Sequence, residues 1–345
     1  MKQAKHILLT AALLLCSLAA SAQVEIEGIW YNLESVVNQA EVTRNPDGKT
    51  KYTGEVVIPS TVTYEGVDYS VTSIGDWAFS GCSSLVSITL PEGVTSIGRY
   101  AFFSCRKLTS ITISAGVTSI GDYAFRSCTS LTSITIPESV TSIGDWAFSV
   151  CSSLVSITLP EGVTSIGEQA FSGCSSLISI IIPEGVTSIG YETFSGCSSL
   201  VSITLPEGVT SIGSYAFYSC GKLTSITIPE SVTIIEYIAF CFCSSLTSIT
   251  CKAANPPTLV AIGVFYDVDK SIPLYVPKGS VEVYKSTEYW SEFTNIVGVD
   301  METGIDNSEF TIQNSELIYD LIGRKVNAPQ KDGIYIVGGK KLVIK

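Results

Sequence analysis

The chain has 345 residues, a formal charge of −12, eleven cysteines and one histidine. Acidity of this kind argues against a nucleic-acid partner, whose binding rests on clustered lysine and arginine. The one histidine, His6, lies in an N-terminal leader, so its removal leaves no imidazole and excludes Ser-His-Asp catalysis, Cys-His catalysis and histidine-ligated metal sites.

The leader comes first. Lys2 and Lys5, the apolar run 7–20 and then Ala20-Ser21-Ala22 read as a secretory signal peptide over residues 1–22, cleaved before Gln23. The run is too short to span a bilayer, and no later segment reads as transmembrane. Cys16 follows Leu15, where a lipid-attachment box needs a small residue, which argues against a lipoprotein. Removal of the leader takes the formal charge to −14 and leaves ten cysteines.

Residues 23–70 are read as an N-terminal cap, because an open solenoid end would expose its core. Asn45-Pro46-Asp47-Gly48 is a turn signal between extended stretches, and Val56-Val57-Ile58-Pro59 echoes the strand end of the repeats that follow.

Residues 71–254 are eight consecutive 23-residue units without insertion or deletion, the first reading VTSIGDWAFSGCSSLVSITLPEG. The units begin at Val71, Val94, Val117, Val140, Val163, Val186, Val209 and Val232, and keep Val at position 1, Ile at 4, Phe at 9, Cys at 12, Leu at 15 and Ile at 18. A period of 20 to 30 residues signals a solenoid. In the first unit the period-2 spacing of Ile88 and Leu90 before Pro91 predicts a strand over 86–90, and Val71 to Ile74 a second short extended stretch. Residues 75–82 leave room for one turn of α or 3₁₀ structure at most. No unit can fold alone: ordering each backbone costs roughly 1–2 kcal/mol, against roughly 1.5–3 kcal/mol for each buried apolar side chain.

These units resemble the BspA-like, treponemal-type leucine-rich repeats of bacterial surface proteins, whose consensus VTSIGxxAFxxCxxLxSIxLPxG they follow. The resemblance implies an α/β leucine-rich repeat solenoid, β-rich and right-handed, with a parallel sheet and short α/3₁₀ turns. It also implies an adhesin-like role, with a host matrix protein, a glycan or another cell-surface protein as partner. No motif in the units names a ligand.

In an exported chain an even cysteine count normally suggests disulfides. Here Cys82, Cys105, Cys128, Cys151, Cys174, Cys197, Cys220 and Cys243 share one unit position, so stacking sets them in parallel about 5 Å apart. Parallel Cβ vectors suit a disulfide dihedral near 90° badly, and a buried, reduced ladder is expected, with Cys251 in the core and Cys241 as the exposed thiol.

Residues 255–299 read as a C-terminal cap. Within it Ile272-Pro273-Leu274-Tyr275-Val276-Pro277 looks like a diverged strand, and Ser280 caps a short helix that lays Val281, Tyr284, Trp290 and Phe293 over the last repeat. A polar linker follows over 300–309. The segment 310–345, with Ile318 to Val326, Gly333 to Val337 and Lys340 to Lys345, is similar to the C-terminal sorting domains of Bacteroidetes. That resemblance implies recognition by a type IX secretion system and exchange for a surface anchor, although this copy lacks the long hairpin insert; a small β module is the plain alternative.

Solenoids show functional residues as breaks in the repeat. Position 7 carries Trp77, Tyr100, Tyr123, Trp146 and Tyr215, but Gln169, Glu192 and Ile238 elsewhere, a stripe suited to stacking sugars, anchoring a protein or covering a core edge, and partly exposed. Units two and three hold four of the array's six cations, Arg99, Arg106, Lys107 and Arg126. Arg99 is set against Asp76 and Asp122 and reads as structural. The ligand-binding candidates are therefore Tyr100, Phe103, Arg106, Lys107, Tyr123 and Arg126. The turn acids Glu92, Glu138, Glu161, Glu184, Glu207 and Glu230 line up but do not converge as calcium requires. The outward Ser and Thr rows suit an exposed strand face, with ice binding a remote alternative.

No cofactor, metal or catalytic residue is expected. The leading function is a non-enzymatic interaction protein, secreted or on the outer surface of the cell. A passive spacer or surface-layer component is the alternative, to be told apart by whether non-consensus residues cluster on one face. A carboxylate-dependent polysaccharide-active enzyme is disfavoured, since units without insertions build no pocket. Mass spectrometry of natively produced protein is expected to find Gln23 as the first residue; retention of 1–22 would refute the leader.

Overall fold

The computed structural model describes residues 22–48 and 51–301, with three further short strands, Ile318–Asp320, Ile334–Val337 and Lys340–Val343. All of the leader but Ala22 lies outside the described residues, as do most of the linker and of the tail.

Each unit makes one turn of a parallel solenoid, because its periodic apolar residues all point to one axis. The Val, Ile, Phe, Cys, Leu and Ile of positions 1, 4, 9, 12, 15 and 18 are buried throughout the array, with Ile166 alone only half-buried. At position 8, where the other units have Ala, Thr193 is fully buried and its hydroxyl donates to the Gly190 carbonyl at 3.0 Å.

Three faces stack on the preceding turn. On the first, two-residue strands such as Ser119–Ile120, Ser142–Ile143 and Ser165–Ile166 pair in parallel one unit apart. On the second, Ser133–Thr135 pairs with Ser156–Thr158, so that Ile134 meets Ile157 in the core while serines and threonines face outward. The period-2 alternation fixes that orientation. In the first unit the strand runs Ser84–Thr89, close to the expected span, and ends before Pro91.

The third face, residues 75–82 in the first unit, is more than the single helical turn the sequence suggests. Overlapping turns join Ala78 N–H to the Gly75 carbonyl, Ser80 to Trp77 and Cys82 to Phe79. The intervening N–H groups of Trp77, Phe79 and Gly81 point out of the unit, to the carbonyls of Arg99, Ala101 and Phe103 at 2.9, 2.7 and 2.7 Å. The same alternation recurs in later units, as in Tyr123 to Asp145, Phe125 to Ala147 and Ser127 to Ser149. It requires the left-handed region at position 7 in all eight units, with φ from 51° at Glu192 to 62° at Trp77. A side chain in that region costs about 1–2 kcal/mol, which the inter-unit hydrogen bonds and ring contacts offset. Close stacking also dictates glycine at Gly121, where a Cβ would stand 2.7 Å from the Gly98 carbonyl carbon.

Through the centre runs a column of nine stacked rings: Phe79, Phe102, Phe125, Phe148, Phe171, Phe194, Phe217, Phe240 and Phe265. Their centroids are 5.1–5.6 Å apart and their planes within 9° of parallel. Tyr52 tilts over Phe79 at one end, and Trp290 and Phe293 meet Phe265 at the other.

Beside this column lies the thiol ladder. Each cysteine donates to the phenylalanine carbonyl of the unit before it, from Cys105 to Phe79 at 3.1 Å through Cys128 to Phe102 at 3.2 Å and on to Cys243 and Phe217. All ten cysteines of the described residues are free and buried. Burial pushes the Cys128 and Cys174 thiols up to about 12; a protonated thiol is a poor partner in disulfide exchange. Cys241 departs from expectation, being buried at 4% exposure. It shares position 10 with Tyr218 of the unit before, and its chain neighbour Phe242 meets Tyr218 and Tyr266 edge to face.

Strands also close the two ends. Ala22–Ile26, Ile29–Glu34 and Gln39–Thr43 form an antiparallel meander whose last strand pairs in parallel with Val67–Ile74. Thr53–Val57 lies on Ser84–Thr89 with Val56 opposite Ile88, so the echo of the repeat is in register. The turn at 45–48 is closed by Gly48 N–H to the Asn45 carbonyl and by Asp47 N–H to Asn45 Oδ1, each 3.0 Å.

At the other end Leu274–Pro277 pairs with Ser248–Cys251 and Ile296–Val299. The helix Val281–Ser286 follows Ser280 as expected, but the Ser280 side chain makes no capping hydrogen bond. What anchors this end is Tyr284, whose hydroxyl donates to the Ala253 carbonyl at 2.8 Å, and Trp290, whose indole N–H reaches the Pro257 carbonyl at 2.8 Å. The three late strands form their own antiparallel sheet.

Two tests follow from this core. Phe148 is fully buried between Phe125 and Phe171, so Phe148→Ala should cost about 3–5 kcal/mol in denaturant unfolding; a loss under about 1 kcal/mol would contradict the column. Alkylation after denaturation without reductant should label at least eight of the ten mature cysteines, whereas a disulfide-stapled chain would leave most unlabelled.

Candidate functional site: an aromatic and basic face

The third face puts one side chain per unit at position 7, and stacking brings these side chains into contact. Trp77 stacks on Tyr100 at 3.9 Å with planes 7° apart, Tyr100 on Tyr123 at 4.4 Å, and Tyr123 faces Trp146 at 5.8 Å. Phe103 sets its edge against both Trp77 and Tyr100, at 6.5 and 5.7 Å. The stripe is partly exposed, with Trp77 at 39%.

Arg126 belongs to this cluster. Its guanidinium lies 4.3 Å from the Trp146 centroid and 5.6 Å from that of Tyr123, and it forms no ion pair among the described residues. Cation–π contacts of this kind contribute about 0.5–1 kcal/mol at exposed sites while leaving the N–H donors free. Burial, and secondarily the neighbouring Tyr100, raise the Tyr123 hydroxyl above its ordinary value.

Of the six sequence candidates the structure joins four: Tyr100, Phe103, Tyr123 and Arg126. Arg106 and Lys107 are exposed at the far end of the third-face segment, and no contact ties either side chain to the rings. Arg99 is structural in the way its neighbours suggest. Its Nε pairs with Asp122 at 3.3 Å, and its backbone N–H donates to Asp76 Oδ1 at 2.7 Å. Asp122 and Asp145 repeat that second contact two and three units on, to the N–H groups of Asp145 and Glu168.

The family model of the BspA-type leucine-rich repeat region matches residues 59–178 and 164–269, more than half of the chain. The chain belongs to that family. Among solved structures, this BspA-type protein is similar to a leucine-rich repeat protein of T. pallidum. The two share 36% identity over 59% of this chain and 91% of the other, with a TM-score of 0.52. A leucine-rich cell-surface protein of Faecalibacterium prausnitzii is 25% identical over 81% of this chain and 96% of the other, with a TM-score of 0.39. No curated protein gives a match.

A second ring cluster of the BspA-type array was not foreseen. Tyr191, Tyr215, Tyr218, Tyr237, Phe242 and Tyr266 meet edge to face, with centroids 5.6–5.9 Å apart. The signal was available as aromatic departures at positions 6, 10 and 11. Between the two clusters Gln169 interrupts the stripe, and it is buried rather than partly exposed, with its side-chain carbonyl oxygen unpaired.

The turn glutamates are exposed, one of them, Glu207, paired with Lys252. Among the described residues no three acidic, cysteine or histidine side chains converge as a metal site, and no helix is long and apolar enough to cross a membrane.

Proposed function

We propose that this BspA-type protein is a non-enzymatic, exported interaction protein, displayed at the cell surface or released, which captures an acidic protein or glycan through the aromatic and basic face. One observation carries the reading: aromatic departures from consensus at positions 6, 10 and 11 lie on the third face with the rings of position 7, of which Trp77, Tyr100, Tyr123 and Trp146 form one stack with an unpaired guanidinium upon it. A passive spacer would scatter such departures. Rings already ordered by their neighbours lose little freedom on binding, and aromatic and arginine side chains are the usual anchors of interfaces.

A glycosidase-like enzyme fits less well. Among the described residues, two clefts at the N-terminal end, of about 170 and 180 Å³, are lined by a single carboxylate, Glu27, where a carboxylate pair is needed. The surface anchor through residues 310–345 is proposed on the resemblance of the tail alone.

The test is capture of the mature protein on immobilised matrix proteins and glycans. Replacing Arg106, Lys107 and Arg126 by Ser should lower capture about tenfold or more, a loss of roughly 1.4 kcal/mol, while Ser83→Ala, Ser84→Ala and Ser152→Ala change little. Capture should also weaken with salt, as the Debye length falls from about 10 Å at 0.1 M to about 3 Å at 1 M. Equal capture by both variants would remove the function from this face.

A further inference from the structure

The ring stack has an open end. Tyr100 covers one side of Trp77, and beyond Trp77 toward the N-terminus no unit supplies another ring. The indole instead borders a cleft of about 180 Å³ between the first unit and the turn at 45–48, with Arg44 and Lys51 on its other wall. Among the described residues no carboxylate lines this cleft, in a chain that is acidic overall.

The backbone also ends there. In later units the carbonyls at positions 6, 8 and 10 accept from the unit before, as Arg99, Ala101 and Phe103 do from Trp77, Phe79 and Gly81. In the first unit the corresponding groups belong to Asp76, Ala78 and Ser80. Ser80 receives the Lys51 ammonium at 2.8 Å, whereas the carbonyls of Asp76 and Ala78 accept no hydrogen bond from the described residues. Ala78 and Ser80 both line the cleft. Of Asp76 and Ala78 only Ala78 lines the cleft, where its carbonyl is an acceptor available to a ligand hydroxyl.

We infer that this cleft is a binding subsite for one acidic sugar residue, a uronic acid within a polysaccharide. The flat indole takes the C–H face of the pyranose ring, whose electropositive hydrogens suit the negative face of an aromatic quadrupole. Arg44 is exposed and makes no side-chain ion pair among the described residues, and its planar fork matches the carboxylate of the sugar. The Ala78 carbonyl accepts from a ring hydroxyl. A poly-acidic peptide would use Arg44 but has no pyranose C–H face to lay on the indole, which is why the sugar is favoured. The inference does not depend on the role of Arg106, Lys107 and Arg126, none of which lines the cleft.

The experiment is calorimetric titration of the mature protein with an oligogalacturonate, its methyl-esterified form and a short poly-glutamate. The variants are Arg44→Gln and Trp77→Gln. Glutamine is tolerated in the backbone conformation of Trp77, since Gln169 has φ 56° at the equivalent position against 62° for Trp77, so Trp77→Gln should fold; an unchanged melting temperature checks this. The acidic oligosaccharide should bind, the ester should bind about tenfold or more weakly, and each variant should lose about tenfold. Saturation-transfer NMR should show ring C–H protons of the sugar against Trp77, with the signal lost in Trp77→Gln. Absence of oligogalacturonate binding, equal binding of acid and ester, or poly-glutamate binding that survives Trp77→Gln would each overturn the subsite. Loss of oligogalacturonate binding in the Arg106, Lys107 and Arg126 triple variant, with Arg44→Gln unaffected, would place the sugar on the aromatic and basic face instead.

Discussion

Everything in this molecule depends on the constant step between one 23-residue turn and the next. Backbone hydrogen bonds cross that step on all three faces, and the rings and thiols of the core are repeated along it. A single inserted residue would break register on three sides at once, which explains why no unit carries one. Stability in such a rod is a sum over neighbours. A central residue such as Phe148 therefore supports the turns on both sides.

The constancy of the step also explains how much the sequence revealed. Positions 1, 4, 9, 12, 15 and 18 are copied eight times because each is drawn into the same core in every turn, so the core could be read without a structure. The strand at Ser84–Thr89 and the in-register echo at Val56 were legible for the same reason. Less visible was the ladder of the third face, since a left-handed residue is normally signalled by glycine. Here Trp77, Tyr100 and Ile238 occupy that conformation instead, and side-chain identity no longer reports the backbone. Cys241 misled in a related way: variability at its position suggested exposure, yet its side chain is buried.

The candidate site was half legible. Tyr100, Tyr123 and Arg126 could be placed near one another by counting positions, but only coordinates show the guanidinium seated on Trp146 and Arg106 standing apart. The two ring clusters also differ in kind. Trp77, Tyr100 and Tyr123 stack face to face, whereas Tyr191, Tyr215 and Tyr237 meet edge to face. The first arrangement presents flat surfaces only at its ends, while the second presents ring edges and hydroxyls along its length. The same position of the repeat thus yields two different surfaces, according to what the adjoining positions hold.

The outward N–H groups of the third face all point in one direction along the rod. A unit inserted backwards would set donor against donor, so the array can grow or shrink only by whole units laid head to tail. Each such event would shift the distance between the two ends by one step and leave the chemistry of both ends untouched. Reach and recognition are thereby separable properties of this chain: duplication of an interior unit lengthens the rod without rebuilding either terminus, much as a ruler is extended from its middle.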